Sequence, residues 1–158
     1  MPKNPGASQR DFEAEGTSLR GELEGGERWK AVYSLCALEQ DWARNIAGVK
    51  ARGNLATAMQ TAAAGMDAAR AKAAAEHVAR AEEWQAEIAS WATSGAEGLM
   101  GMHEVRVLQL AQAWLLLGAG DAASLRRAKK LHAKVEGDAN GVPSDLRAQV
   151  TALKKALV

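Results

Sequence analysis

An all-α fold is expected for this 158-residue sequence on three observations. Alanine makes up roughly a fifth of the chain, and it is the strongest helix former because it loses no side-chain entropy on folding. Large apolar residues recur at steps of three and four, the spacing that gathers them on one face of a helix. Glycine, asparagine and aspartate stand where those stripes stop, and these residues end one helix and begin the next. The expected architecture is an irregular bundle of about five helices, or stacked antiparallel helical hairpins, behind a flexible N-terminal tail.

Residues 1–27 read as that tail, and 28–158 as a single helical domain. Five of the glycines recur among charges in the tail, and its large apolar residues are Phe12, Leu19 and Leu23. So little burial does not offset the ordering cost of about 1–2 kcal/mol per residue. A short helix over about 9–23 would need a partner or the main body to hold it. The first firm helix is expected over about 27–50. Trp29, Val32, Leu35, Leu38, Trp42, Ile46 and Val49 share one face of it, with Gly53 as its stop. Asn54 then caps a second helix over about 55–94, whose stripe runs from Leu55 through Met59, Met66, His77, Trp84 and Ile88 to Trp91. Gly65 costs about 1 kcal/mol relative to alanine, which permits the helix and allows a bend.

"SGAEGLMGM" (94–102) breaks the pattern with three glycines, and "MHEVRVLQLAQAWLLLGAGD" (102–121) follows as the third helix. Arg106, Gln109 and Ala113 form a narrow polar strip on it, and apolar side chains cover most of the remainder. A helix apolar nearly all round is buried among several neighbours, so this one is expected at the centre. Gly118 ends it and Asp121 caps the fourth helix, about 122–136. A fifth, about 144–157, carries Leu146, Val150, Leu153 and Leu157 on one face.

Bulk chemistry narrows the function classes. Hydrophobic residues make up 47% and charged residues 25% of the chain, as in ordinary globular proteins, and the formal net charge is +1. Whole-chain electrostatics therefore does not steer it toward nucleic acid or an anionic membrane. A single cysteine, Cys36, forms no internal disulfide and suits a reducing compartment. No run reaches the ~18–20 apolar residues of a membrane span, and the N-terminus has neither a signal-peptide apolar core nor transit-peptide composition. The expectation is a soluble, intracellular, cytoplasmic protein.

Candidate chemistry is sparse. His103-Glu104 would open a zinc-binding HExxH motif, but Val107 stands where the second histidine belongs, so a solvent-facing pair is expected. Glu76, Glu82, Glu83 and Glu87 lack the Glu-x-x-His pattern of di-iron bundles and read as a solvated face. His77 and Arg80 are the anomaly, because they lie on an apolar stripe before Trp84, where charge is costly unless paired. His77, Arg80 and Trp84 are therefore an interhelical polar contact or a ligand contact. "RRAKKLHAK" (126–134) is the strongest basic run. Residues 121–158 hold eight Lys/Arg against four Asp/Glu. Arg126, Arg127, Lys129, Lys130 and Lys134 lie opposite Leu125, Ala128, Leu131 and Val135, as a solvated outer face does. They are also the residues that would touch phosphates. Cys36 is expected as a buried, inert thiol, and the five tryptophans as core anchors. No cofactor, metal or catalytic residue is assigned.

Residues 110–123 resemble the first half of a tetratricopeptide motif, carried by Leu110, Ala111, Ala113, Trp114, Leu117, Gly118 and Ala123 in order. The resemblance covers about 104–137 and does not recur one period back at Glu76–Ile88. It implies a helical hairpin and a groove for protein or peptide. The function expected is a non-catalytic helical protein-interaction module, an adaptor or subunit of a larger assembly. Its partner is another protein or further copies of itself. The alternative is a nucleic-acid-associated protein that uses the basic face of the fourth and fifth helices.

Overall fold

The computed structural model describes residues 9–50, 53–92, 95–138 and 141–158. They form an all-α fold, with no strand among the described residues. Its helices are α1 (Gln9–Gly21), α2 (Arg28–Ala47), α3 (Leu55–Ala63), α4 (Ala68–Ser90), α5 (Gly95–Ala119), α6 (Ala122–Glu136) and α7 (Arg147–Ala156), the last entered through a 3-10 turn at Ser144–Leu146. No helix among the described residues is long and apolar enough to cross a membrane.

Helix α5 is the centre, as its nearly continuous apolar surface requires. It packs on α3, α4, α6 and α7, and Leu108, Leu110, Leu115 and Leu116 are fully enclosed. Its polar strip is paired rather than solvated. Arg106 meets Asp138 just past α6 (2.7 Å), and buried Gln109 donates to Glu82 on α4 (3.0 Å). On the other flank of α4 lies α2, and α1 rests mainly on α2. Alanines 71, 74, 75 and 81 are buried along α4, which lets α2 and α5 approach it from both sides.

Several element boundaries differ from those expected. The expected second helix is two: α3 ends at Ala63, and α4 restarts where the Asp67 side chain accepts from Arg70 N (2.9 Å). Gly65 weakens the helix there, and an aspartate two residues on offers the backbone a competing partner. Gly48 (φ 73°), not Gly53, ends α2, and Gly120 (φ 78°), not Gly118, follows α5. Both have the left-handed conformation that glycine adopts freely.

The glycines expected to break the chain before the third helix lie inside α5. A Cβ on Gly101 would stand 2.9 Å from the Ala89 Cβ, and one on Gly118 would stand 3.1 Å from the Ala63 carbonyl oxygen. Both are close approaches of two helices, which a side chain at Gly101 would force apart and one at Gly118 would crowd. Asn54 and Asp121 cap α3 and α6 through their side chains, as the sequence indicates.

Part of the expected tail is helical. The portion over residues 1–8 lies outside the described residues, as do residues 93–94 at the end of the expected second helix. Residues 9–21 form α1, held by the main body. Phe12, Gly16, Leu19 and Leu23 stand four, three and four positions apart, so the few apolar groups fall on one face. Phe12 and Leu19 are buried with Leu35, Leu38 and Trp42 of α2.

Candidate functional site

Three places gather the residues that carry chemistry. The first lies between α2 and α4. The His77 Nδ1–H donates to Glu39 Oε2 at 2.7 Å, since a carboxylate can only accept. Arg80 Nη1 stands 3.3 Å from the same ring nitrogen and 3.9 Å from Glu39 Oε2. Trp42 stacks on the imidazole at 3.9 Å between centroids, and Phe12 stacks on Trp42 from α1 at 5.5 Å. Trp84 stands one turn beyond Arg80 on α4. It packs, half-buried, against the Phe12–Leu19–Trp42 cluster and lines a cavity of about 390 Å3 with Arg80, Glu13 and Arg20.

The sequence gives no pairwise signal for Glu39, yet the residue carries the same anomaly as His77. It is a charged group four positions after Leu35 and three before Trp42, on a face the helix buries. The Glu39 side chain is 2% exposed and that of His77 10%, so each polar group answers the other's desolvation. The cluster fastens α2 to α4.

The second place is a groove of about 730 Å3 between α4 and α6. Of the basic residues, Arg127, Lys130 and Lys134 line it, whereas Arg126 and Lys129 are exposed outside it. Glu82 and Glu83 form part of the same lining, so the groove carries both signs of charge. Gln112 is buried beneath it. With its amide oriented to suit its neighbours, it donates to Glu82 Oε1 (3.1 Å) and accepts from Arg127 Nη2 (2.9 Å). The carboxylates expected on a solvated face are thus partly engaged, Glu82 here and Glu87 in a two-pronged contact with Arg28 (2.8 and 3.0 Å).

The third place corrects the expectation that every tryptophan is a core anchor. Trp42 and Trp114 are buried, but Trp29 is 53% exposed and Trp91 39%, with Tyr33 at 52% between them. The Trp29–Tyr33 ring centroids are 6.5 Å apart and edge-on, and Tyr33–Trp91 are 6.0 Å apart. Leu99 and Met100, at the start of α5, are also exposed. Tyr33, Trp91, Ile88 and Met100 line an open cavity of about 530 Å3, together with the polar Gln85, His103 and Glu104. Tyr33 stands nine positions before Trp42, half a turn out of phase on a 3.6-residue helix, so it lies on the side of α2 that α1 leaves uncovered.

Two further groups flank this face. His103 Nε2 is 2.8 Å from Asp145 Oδ2, which ties α5 to the turn before α7. Among the described residues, no group of three metal-ligating side chains surrounds it. Cys36 is buried against the Ala81 carbonyl (3.5 Å), and burial pushes its thiol up to about 11. At neutral pH it stays protonated and unreactive.

Comparison of the chain with protein-family models, with curated proteins and with solved structures finds no match.

Proposed function

We propose that this chain is a non-catalytic helical protein-interaction module, an adaptor or subunit of a larger assembly. On this reading it docks a partner protein through the face formed by Trp29, Tyr33, Trp91 and Met100. The observation that carries the reading is the exposure of three contiguous aromatic rings on a helix pair whose Phe12–Trp42 stack is buried. Large exposed apolar groups in contact with one another mark interaction sites, whereas single ones do not. Tryptophan and tyrosine are also the side chains that dominate binding energy at interfaces. The tetratricopeptide-like reading of 104–137 belongs to the same class, with the α5–α6 hairpin as scaffold behind the face.

The test compares the size of the native assembly containing the wild-type chain with that containing a Tyr33→Ser/Trp91→Ser variant, both expressed in the native host. A Lys130→Gln/Lys134→Gln variant serves as the control. The reading expects a partner-containing assembly that the ring substitutions release and the lysine substitutions leave intact. The competing reading expects tight binding to mixed DNA or RNA that weakens steeply with salt and vanishes when Arg126, Arg127, Lys129, Lys130 and Lys134 become Gln. That result, or an assembly indifferent to Tyr33 and Trp91, would overturn the proposal.

A further inference from the structure

The open cavity beside Tyr33 has a charge as well as an apolar wall. Glu104, its side chain 60% exposed and one oxygen 3.6 Å from His103 Nδ1, stands on the α5 side, and no lysine or arginine lines the cavity among the described residues. Basic groups nearby are already engaged, Arg28 by Glu87 and Lys30 by Glu27 (2.9 Å). Lys30 Nζ also stands over the Trp29 ring, 5.5 Å from its centroid. The protein itself thus already places a cation on one ring of this group, within the distance at which the ring quadrupole attracts it.

We propose that Tyr33, Trp91 and Glu104 receive an arginine side chain presented by a partner protein. The planar guanidinium stacks on the aromatic faces, and its N–H groups donate to the Glu104 carboxylate. Arginine fits better than lysine because a delocalised, weakly hydrated fork can stack and pair with a carboxylate together. A cavity of about 530 Å3 accommodates such a group with part of its backbone. The proposal rests on the docking reading of this face and names the chemistry that the partner brings.

The probe is N-acetyl-arginine methylamide, titrated into the full chain with the tryptophan indole N–H signals followed by NMR. Its uncharged isostere, the citrulline amide, and the lysine amide are run beside it. Saturable shifts at the Trp91 indole in the millimolar range are expected. The enclosed Trp114 indole stays unmoved. Citrulline, and Glu104→Gln with arginine, should each bind about fivefold more weakly or worse. Equal response to citrulline or lysine, no change with Glu104→Gln, or no saturation would each overturn the proposal. Concentration-dependent dimerisation abolished by Tyr33→Ser would do so too, by placing a second copy on the face. The two readings fail separately. If Glu104→Gln alters neither the arginine titration nor the native assembly, while the ring variant releases the partner, docking stands and the arginine site falls. If arginine binds as expected but the ring variant keeps its assembly, the site stands and docking falls.

Discussion

Phe12 and the His77 ring stack on Trp42 of α2, and Trp29 and Tyr33, on the far side of the same helix, form another group with Trp91 at the end of α4. The first lies under α1, where Phe12 is 2% exposed. The second lies open, with Tyr33 at 52%. Composition does not distinguish them, since both bring large rings from different helices into contact. Coverage does. Where the chain supplies its own thirteen-residue helix, the aromatic group becomes part of the core. Where none of the described helices lies over it, the same chemistry is on the surface.

Substitutions should respond to that difference. Trp114, enclosed by the α5-centred core, sets the scale, and Trp114→Ala should cost on the order of 3–5 kcal/mol in chemical denaturation. On the covered side, Glu39→Ala leaves His77 without its acceptor and should cost on the order of 3 kcal/mol. A double-mutant cycle with His77→Ala should show coupling, because the pair shares one buried hydrogen bond. Additive losses would remove the pair as the fastener of α2 on α4.

Phe12→Ala should cost about 2 kcal/mol and do so locally. Amide exchange should accelerate over 9–21 while the amides of α5 keep their protection. On the open side, Tyr33→Ala and Trp91→Ala should change stability by less than about 0.5–1 kcal/mol, as exposed positions do. A loss comparable to that from Phe12→Ala would mean that the rings hold the fold together and are not spare.

The smallest effect is electrostatic. The Arg28 guanidinium holds the Glu87 carboxyl below its ordinary value, and this pair ties the start of α2 to the end of α4 beside the open rings. A carboxyl depressed in the folded state contributes stability above its unfolded pKa, about 4.5, and loses it as pH falls through the folded value. Acid titration of wild type should therefore show a small loss of stability below the ordinary carboxylate range, and Glu87→Gln should lose less over the same range. The same sign holds for Asp121, which the Ser124 hydroxyl lowers to about 2.

How much of this was legible depended on whether the cause was local. Apolar periodicity placed α2, α5 and α6 and put α5 at the centre, because a helix wheel needs no knowledge of neighbours. Asn54 and Asp121 were readable as caps, since a cap bonds within three residues. The break at 64–67 was half legible, with Gly65 allowing a bend and Asp67 deciding it. Glycines 101 and 118 were misread as breakers because close approach to Ala89 and Ala63 is a tertiary fact. His77 announced itself as a charge on an apolar stripe. Its partner Glu39, 38 residues away, could be found only once α2 and α4 were paired. Coverage was the least legible of all. Steps of three and four assign Trp29 and Trp42 to one stripe, but over thirteen positions the helix carries them to different sides, and the sequence does not say which side α1 covers.

The most direct test of the open face places a photo-crosslinking phenylalanine analogue at position 33, and in a second chain at position 130 on α6, in the native host. The account predicts a discrete protein adduct at position 33, lost when Trp91→Ser is added, and no comparable adduct at position 130. A nucleic-acid adduct at position 130 with none at position 33 would contradict it.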